Sequence, residues 1–105
     1  MTTFDKREAA FENQFAHDEE LRFKATARRN KMVGLWAAGK LGLAGAEADS
    51  YALAVVMLDL EHKMDVVEKI KTDFAAKGVA QSDHQIERTM NDFMAQAIAD
   101  IKAGR

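Results

Sequence analysis

No proline interrupts this chain anywhere in its 105 residues. Proline breaks helices because it lacks a backbone donor and its ring clashes with the preceding turn. The strong helix formers Ala, Leu, Met, Lys and Glu are abundant, and β-branched residues are few. A chain of this length has room for one modest core. We therefore predict an all-α protein with a single core.

Capping and glycine signals divide the sequence into four predicted helices. Asp18 is a suitable N-cap for the first helix, which should end among Gly39, Gly42 and Gly45. The second, over about 46–61, is apolar on every side at 52–58, a pattern that also suits a buried strand. Its length and the acids at its start favour a central helix. Short connections make the predicted architecture a compact four-helix bundle over residues 18–105.

The last two helices have the clearest start and stop signals. Asp65 with Glu68, and Ser82 with Gln85, have the form of capping boxes, and Gly78 should end the third helix. In the fourth helix apolar residues recur at spacings of four, three, four and four, which is typical of an amphipathic helix. These residues are Ile86, Met90, Phe93, Ala97 and Ile101.

Residues 1–17 are predicted to form a flexible or conditionally helical N-terminal arm. Phe4, Phe11 and Phe15 are spaced by seven and four residues, which places them on one face of a helix. An isolated helix this short is marginal in water, and repulsion between Glu8 and Glu12 weakens it further. The arm is therefore not expected to be a stable helix without something to cover its aromatic face.

Two interpretations of the arm stay open at this point. It can fold back onto its own bundle, or it can become helical in the groove of a protein partner. Burial of three phenylalanines contributes on the order of 5–9 kcal/mol. The entropic cost of ordering some fifteen residues exceeds that figure. A partner must therefore also contact the polar faces, which gives Arg7, Glu8 and Glu12 a predicted role.

A basic block follows the arm. Between Leu21 and Ala46 there are six bases and no acid, among them Arg28 and Arg29. Such a block is most often a solvated helix face, but it also suits contact with an acidic protein surface or with the protein's own arm. Nucleic acid is not an expected partner, because the net charge is −2 and no base-reading motif accompanies the bases.

The residue types needed for catalysis or metal binding do not occur in suitable patterns. There is no cysteine, and His17, His62 and His84 lack the spacing of a zinc site. We find no phosphate-binding loop and no nucleophile arrangement. We therefore predict no cofactor, no metal and no enzymatic activity. His17 beside Asp18 either senses pH or is an exposed residue at a helix start.

No stretch approaches the roughly 18 apolar residues of a membrane span, and the N-terminus has no apolar segment of signal-peptide type. We expect a cytoplasmic protein without direct membrane insertion.

One stretch of sequence carries a family resemblance. Residues 11–25 read FENQFAHDEELRFKA, and residues 27–39 read ARRNKMVGLWAAG. Over about residues 4–58 the chain resembles the zeta subunit, the ATPase-inhibitor family of alphaproteobacterial F-type ATP synthases. The residues 60–65 depart from the family, which usually has a glycine- and acid-rich connection there. We expect this departure to affect the geometry between the second and third helices, and not the arm.

The resemblance implies a four-helix bundle with an inhibitory N-terminal segment over Phe4 to about Asp18. In the family that segment enters a catalytic α/β interface of the ATPase head, contacts the rotor γ subunit and blocks ATP hydrolysis. The implied protein is a monomer when free and lies at the inner membrane only through the synthase. A non-inhibitory structural or adaptor subunit is the alternative. The predicted partner-binding residues are Phe4, Arg7, Glu8, Phe11, Glu12, Phe15, His17, Arg28 and Arg29.

Overall fold

The structure, a computed structural model, describes residues 18–105, and this part of the chain contains four helices and no strand. The predicted all-α four-helix bundle is confirmed. The predictions made for residues 1–17 lie outside the described residues. The helices are α1 (Glu19–Lys40), α2 (Gly45–Leu60), α3 (Val66–Lys77) and α4 (Asp83–Lys102).

The start of α1 is confirmed at the predicted residue. Asp18 has an extended backbone, and its carboxylate accepts hydrogen bonds from the backbone N–H groups of Glu20 and Leu21 at 3.0 and 3.2 Å. These bonds satisfy two of the donors that a helix N-terminus leaves free. Asp18 therefore fixes the start of α1.

The central helix is α1, so the predicted central position of α2 is wrong. Small residues let α1 pack against all three other helices, and four of its apolar side chains are fully buried: Ala25, Val33, Ala37 and Ala38. In α2 the fully buried side chains are Ala52 and Val55, whereas Leu53 is 61% exposed. Only one stripe of α2 is therefore buried, and the apolar residues on its other face remain exposed.

The hydrophobic core lies where α1, α2, α3 and α4 meet. In this core α1 supplies Val33 and Ala37, α2 supplies Val55, and α3 and α4 supply Val66, Ile70, Phe74, Ile86 and Met90. Trp36 packs at the edge of this cluster, with its ring nearly edge-on to Phe74 at a centroid distance of 5.7 Å. This geometry is the favoured one for an aromatic pair.

The two predicted capping boxes have different outcomes. At α4 the box is confirmed, because Ser82 Oγ accepts from the Gln85 amide and Gln85 Oε1 accepts from the Ser82 amide. At α3 the box is wrong: Asp65 holds the N-cap position, but its side chain makes no cap hydrogen bond. Glu68 pairs with Lys71 at 3.4 Å, so its carboxylate faces along the helix instead of back towards the cap.

All four described helices end in the same way. Residues 42, 62, 78 and 104 have positive φ, and the amide after each one bonds the carbonyl five residues earlier. This is the Schellman motif, which normally places glycine at the left-handed position. After α2 that residue is His62, with φ of 54°. The connection without glycine therefore keeps the usual helix-end geometry, with a histidine in a conformation that costs free energy.

A candidate partner-binding surface

Most of the predicted partner-binding residues lie outside the described residues. These are Phe4, Arg7, Glu8, Phe11, Glu12, Phe15 and His17. Their roles stay predictions. A groove that was not predicted from the sequence begins next to Asp18, the first described residue.

That feature is an apolar groove of about 750 Å³, formed by the N-terminal half of α1 with the C-terminal halves of α2 and α4. We call it the terminal groove. Its large apolar lining residues are Phe23, Val56, Leu60, Met94 and Ile98, and its α1 wall runs from Glu19 to Asn30. Phe23 is 57% exposed and Leu60 47% exposed, so two large apolar side chains remain uncovered there.

The signal that could have revealed the groove was the run 52–58. A helix at the edge of a bundle can bury only one stripe, and this run carries more apolar residues than one stripe needs. The excess had to lie on a surface. The sequence could not show that Phe23 of α1 would lie on the same surface as Leu60.

A polar network lies at the inner end of the groove. Asn30 is 2% exposed, and its Nδ2 donates to Asp59 Oδ2 at 2.7 Å, which joins α1 to α2. Arg29 donates from Nε and Nη2 to Asn30 Oδ1 at 3.2 and 3.0 Å. The Asn30 amide is therefore bonded at both its donor and its acceptor, as burial of a polar group requires.

Arg29 and Arg28 have different surroundings. Burial lowers the pKa of the Arg29 guanidinium, and the nearby carboxylates of Asp59 and Asp65 oppose that shift. Among residues 18–105, the hydrogen bonds of the Arg29 side chain go to Asn30. Arg28 lies beside a second, smaller depression together with Lys31 and Leu53. The predicted contact of either arginine with a partner stays a prediction.

A second polar cluster connects α2 to α3. Tyr51 donates its hydroxyl proton to Asp73 Oδ2 at 2.7 Å, and Lys69 Nζ lies 3.0 Å from the same oxygen and 4.9 Å from the Tyr51 ring centre. Burial, together with the bond to the Asp73 carboxylate, raises the pKa of Tyr51 well above its ordinary value. The cluster holds two helices together and lies away from the terminal groove.

Residues 18–105 contain no group of three His, Cys, Asp or Glu side chains placed to hold a metal ion. In the same range, no helix has both the length and the apolar character needed to cross a bilayer.

The fold and the groove define a class: a small four-helix-bundle protein with an exposed apolar groove. The chain belongs to the family described as ATPase inhibitor subunit zeta, whose family model matches residues 1–100. The family predicted from residues 11–39 is therefore confirmed, and the match extends across the arm and nearly the whole bundle.

A solved structure shows the same fold. It was determined in solution by NMR, is 37% identical in sequence, and superposes with a TM-score of 0.68 over 81% of this chain and 99% of that chain. None of the curated proteins matches this chain.

Proposed function

We propose that this protein inhibits ATP hydrolysis by an F-type ATP synthase and has no enzymatic activity of its own. The observation that carries the proposal is the family match over residues 1–100, because it includes the arm as well as the bundle. The partner is the catalytic head of the synthase. Binding to the catalytic head of the synthase would hold the protein at the periphery of the membrane.

The arm is the inhibitory element in this proposal. Phe4, Phe11 and Phe15 form one apolar face, and an apolar face of this length suits the helix-in-groove mode of binding. Insertion at a catalytic α/β interface, against the rotor γ subunit, would hold apart two surfaces that must move during rotation. Arg7, Glu8 and Glu12 flank the apolar face and would pair with polar groups of the head.

The bundle contributes the second half of the mechanism. Asp18 caps α1, and in this proposal the arm would join the bundle at that residue. The bundle would be too large to follow the arm into the α/β interface. It would therefore limit how deeply the arm enters. Arg28, in the basic block of α1, would contact acidic surface of the head next to the entry point in this proposal.

The test is ATP hydrolysis by the isolated head with three forms of the protein. The intact chain should inhibit, and a chain lacking residues 1–17 should not. A chain with Phe4, Phe11 and Phe15 all changed to serine should lose most of its inhibition. The matched control is Asn13→Ser, on the opposite side of a helical wheel from the phenylalanines, which should inhibit like the intact chain.

An adaptor subunit is the alternative, and the same proteins separate the two. An adaptor lacking residues 1–17 would still bind the head, and the intact chain would leave the hydrolysis rate unchanged. Unimpaired hydrolysis at a concentration where binding to the head is saturated would therefore exclude the inhibitor.

A further inference from the structure

The terminal groove is an uncovered apolar surface that begins where the described chain begins. Glu19, Arg22 and Phe23 of the first turns of α1 form its near end, directly after Asp18. We propose that the groove binds the chain's own residues 4–15 in the free protein, so that the inhibitory segment is held back until the ATPase head takes it. The regulatory part of this inference rests on the proposed function, whereas the docking itself does not.

The lengths of the two elements match. The α1 wall of the groove runs from Glu19 to Asn30, and the aromatic stripe runs from Phe4 to Phe15, so in each the end residues are eleven positions apart. At 1.5 Å per residue both are about 16 Å long as helices. Ala16 and His17 remain as a two-residue connection, which is enough for an antiparallel helical pair.

The chemistry of the two surfaces is complementary. The groove offers Val56, Leu60, Met94 and Ile98 to an apolar face that consists of three phenylalanines. Three aromatic side chains can each bury roughly 150–250 Å². Docking would also cover Phe23, the most exposed aromatic residue among the large apolar side chains of the described chain.

The charges fit an antiparallel arrangement at both ends of the groove. When Phe15 lies beside Glu19, Glu12 falls opposite Arg22 near the mouth of the groove. Arg7, which flanks the aromatic face, then falls near the inner end, where Asp59 lies. A parallel arrangement is excluded by the short connection, because Phe15 would have to reach the far end of the groove from Asp18 across three residues.

Because the arm is tethered to the bundle, even a weak intrinsic affinity is sufficient for the arm to dock in the terminal groove. A segment joined to its site by two residues has an effective concentration in the millimolar range. An intrinsic dissociation constant of that order would leave about half of the molecules docked. The ATPase head must then bind the arm in competition with the groove. The apparent affinity of the head for the arm equals its intrinsic affinity multiplied by the fraction of molecules whose arm is undocked.

The docking can be measured on the full chain without the ATPase. The sequence has no cysteine, so Ala9→Cys gives one thiol for a nitroxide spin label, on the side of the arm opposite its phenylalanines. Amide signals at Leu60, Met94 and Ile98 should lose intensity relative to those of α3. The loss should disappear in a Leu60→Ser background. It should persist with Leu35→Ser, an exposed leucine of α1 outside the groove.

Three results would overturn the proposal. Intensity loss that is uniform along the bundle would mean that the arm does not use the groove. Loss seen only between a spin-labelled molecule and a separate isotope-labelled one would assign the groove to a second copy. Loss unchanged by Leu60→Ser would mean that the apolar lining does not hold the arm.

A functional measurement separates this proposal from the proposed function. Leu60→Ser should lower the concentration needed for half-inhibition of hydrolysis by up to about twofold, because the half of the arms that were docked become free. A higher half-inhibitory concentration would show that the groove binds the head instead, and would overturn arm docking. If no variant inhibits, the proposed function fails, whereas the spin-label result still decides whether the arm docks.

Discussion

Gly34 of α1 and Ala52 of α2 are in direct backbone contact. A Cβ atom placed on Gly34 would lie 2.7 Å from the Ala52 Cα and 3.1 Å from its Cβ. Real Cβ atoms do not approach a backbone carbon so closely, so the two helices can cross here only because residue 34 has no side chain. This crossing sets the separation of α1 and α2, and with it the width of the terminal groove that both helices line.

The replacement Gly34→Ala should therefore lower the free energy of unfolding, on the order of 1–3 kcal/mol, because the helices must move apart. The higher helix propensity of alanine offsets only part of this, at most about 1 kcal/mol. The control is Gly39→Ala in the same helix, where nothing lies within 4 Å of the added Cβ. That change should raise stability by up to about 1 kcal/mol. Denaturant unfolding of both variants checks the opposite signs.

Local signals in the sequence predicted the helix ends well. Asp18, Ser82 and Gly78 act through bonds to residues within a few positions, so their neighbours in sequence determine the outcome. The Asp65 box did not form although its pattern was right: the Asp65 side chain makes no cap hydrogen bond, and Glu68 pairs with Lys71. A capping-box pattern shows which hydrogen bonds can form, but it does not show which of the possible hydrogen bonds is present in the folded protein.

Features that depend on distant residues could not be predicted. The hydrogen bond between Asn30 and Asp59 joins positions 29 residues apart, and neither residue stood out in the sequence. Which face of α2 is exposed could not be predicted, because it depends on which side of α2 the other helices cover. Of the candidate site, the sequence supplied the arm and its aromatic face, but the groove beside it appeared only once Phe23 and Leu60 were placed in space.

The Asn30–Asp59 bond predicts a clear ranking of two variants. Asp59→Ala leaves the buried Asn30 amide without an acceptor, so the free energy of unfolding should fall by about 1–3 kcal/mol. Asp59→Asn keeps an acceptor oxygen and should lose less. Asp49→Ala, at an exposed acid of the same helix, is the control and should change stability little. Equal losses in Asp59→Ala and Asp49→Ala would mean that the hydrogen bond contributes nothing.

Tyr51 predicts how stability changes at high pH. An ordinary tyrosine loses its proton near pH 10. Burial and the hydrogen bond to Asp73 raise the pKa of Tyr51 in the folded protein, so the unfolded chain releases this proton first. Above about pH 10 the unfolded state therefore binds fewer protons, and the free energy of unfolding should fall as pH rises.

Two measurements check this prediction. Tyr51 is the only tyrosine in the sequence, so the rise of tyrosinate absorbance reports it alone. Its midpoint should lie above 10, and Asp73→Asn should lower it. In Tyr51→Phe the decline of stability above pH 10 should be shallower than in the unchanged protein. A midpoint near 10 in the folded protein would contradict the predicted shift.

His62 predicts a stabilising change. It holds a left-handed conformation that glycine adopts without a steric cost, although glycine also loses more entropy on folding. His62→Gly should raise the free energy of unfolding by a few tenths to about 1 kcal/mol. The control is His84→Gly in the first turns of α4, where the backbone is helical and glycine should be destabilising by up to about 1 kcal/mol. Thermal unfolding should show shifts of opposite sign.

The proposed wedge predicts that hydrolysis is inhibited more strongly than synthesis. An arm inserted between two subunits is gripped when rotation closes that interface and is released when rotation in the other direction opens it. In sealed vesicles carrying the synthase, a concentration of this protein that halves ATP hydrolysis should leave synthesis nearly unchanged. Replacing Phe4, Phe11 and Phe15 by serine should abolish the difference by abolishing the inhibition of hydrolysis. Equal inhibition in both directions would instead indicate a block that does not depend on the opening and closing of the interface, such as obstruction of the rotor from outside by the bundle.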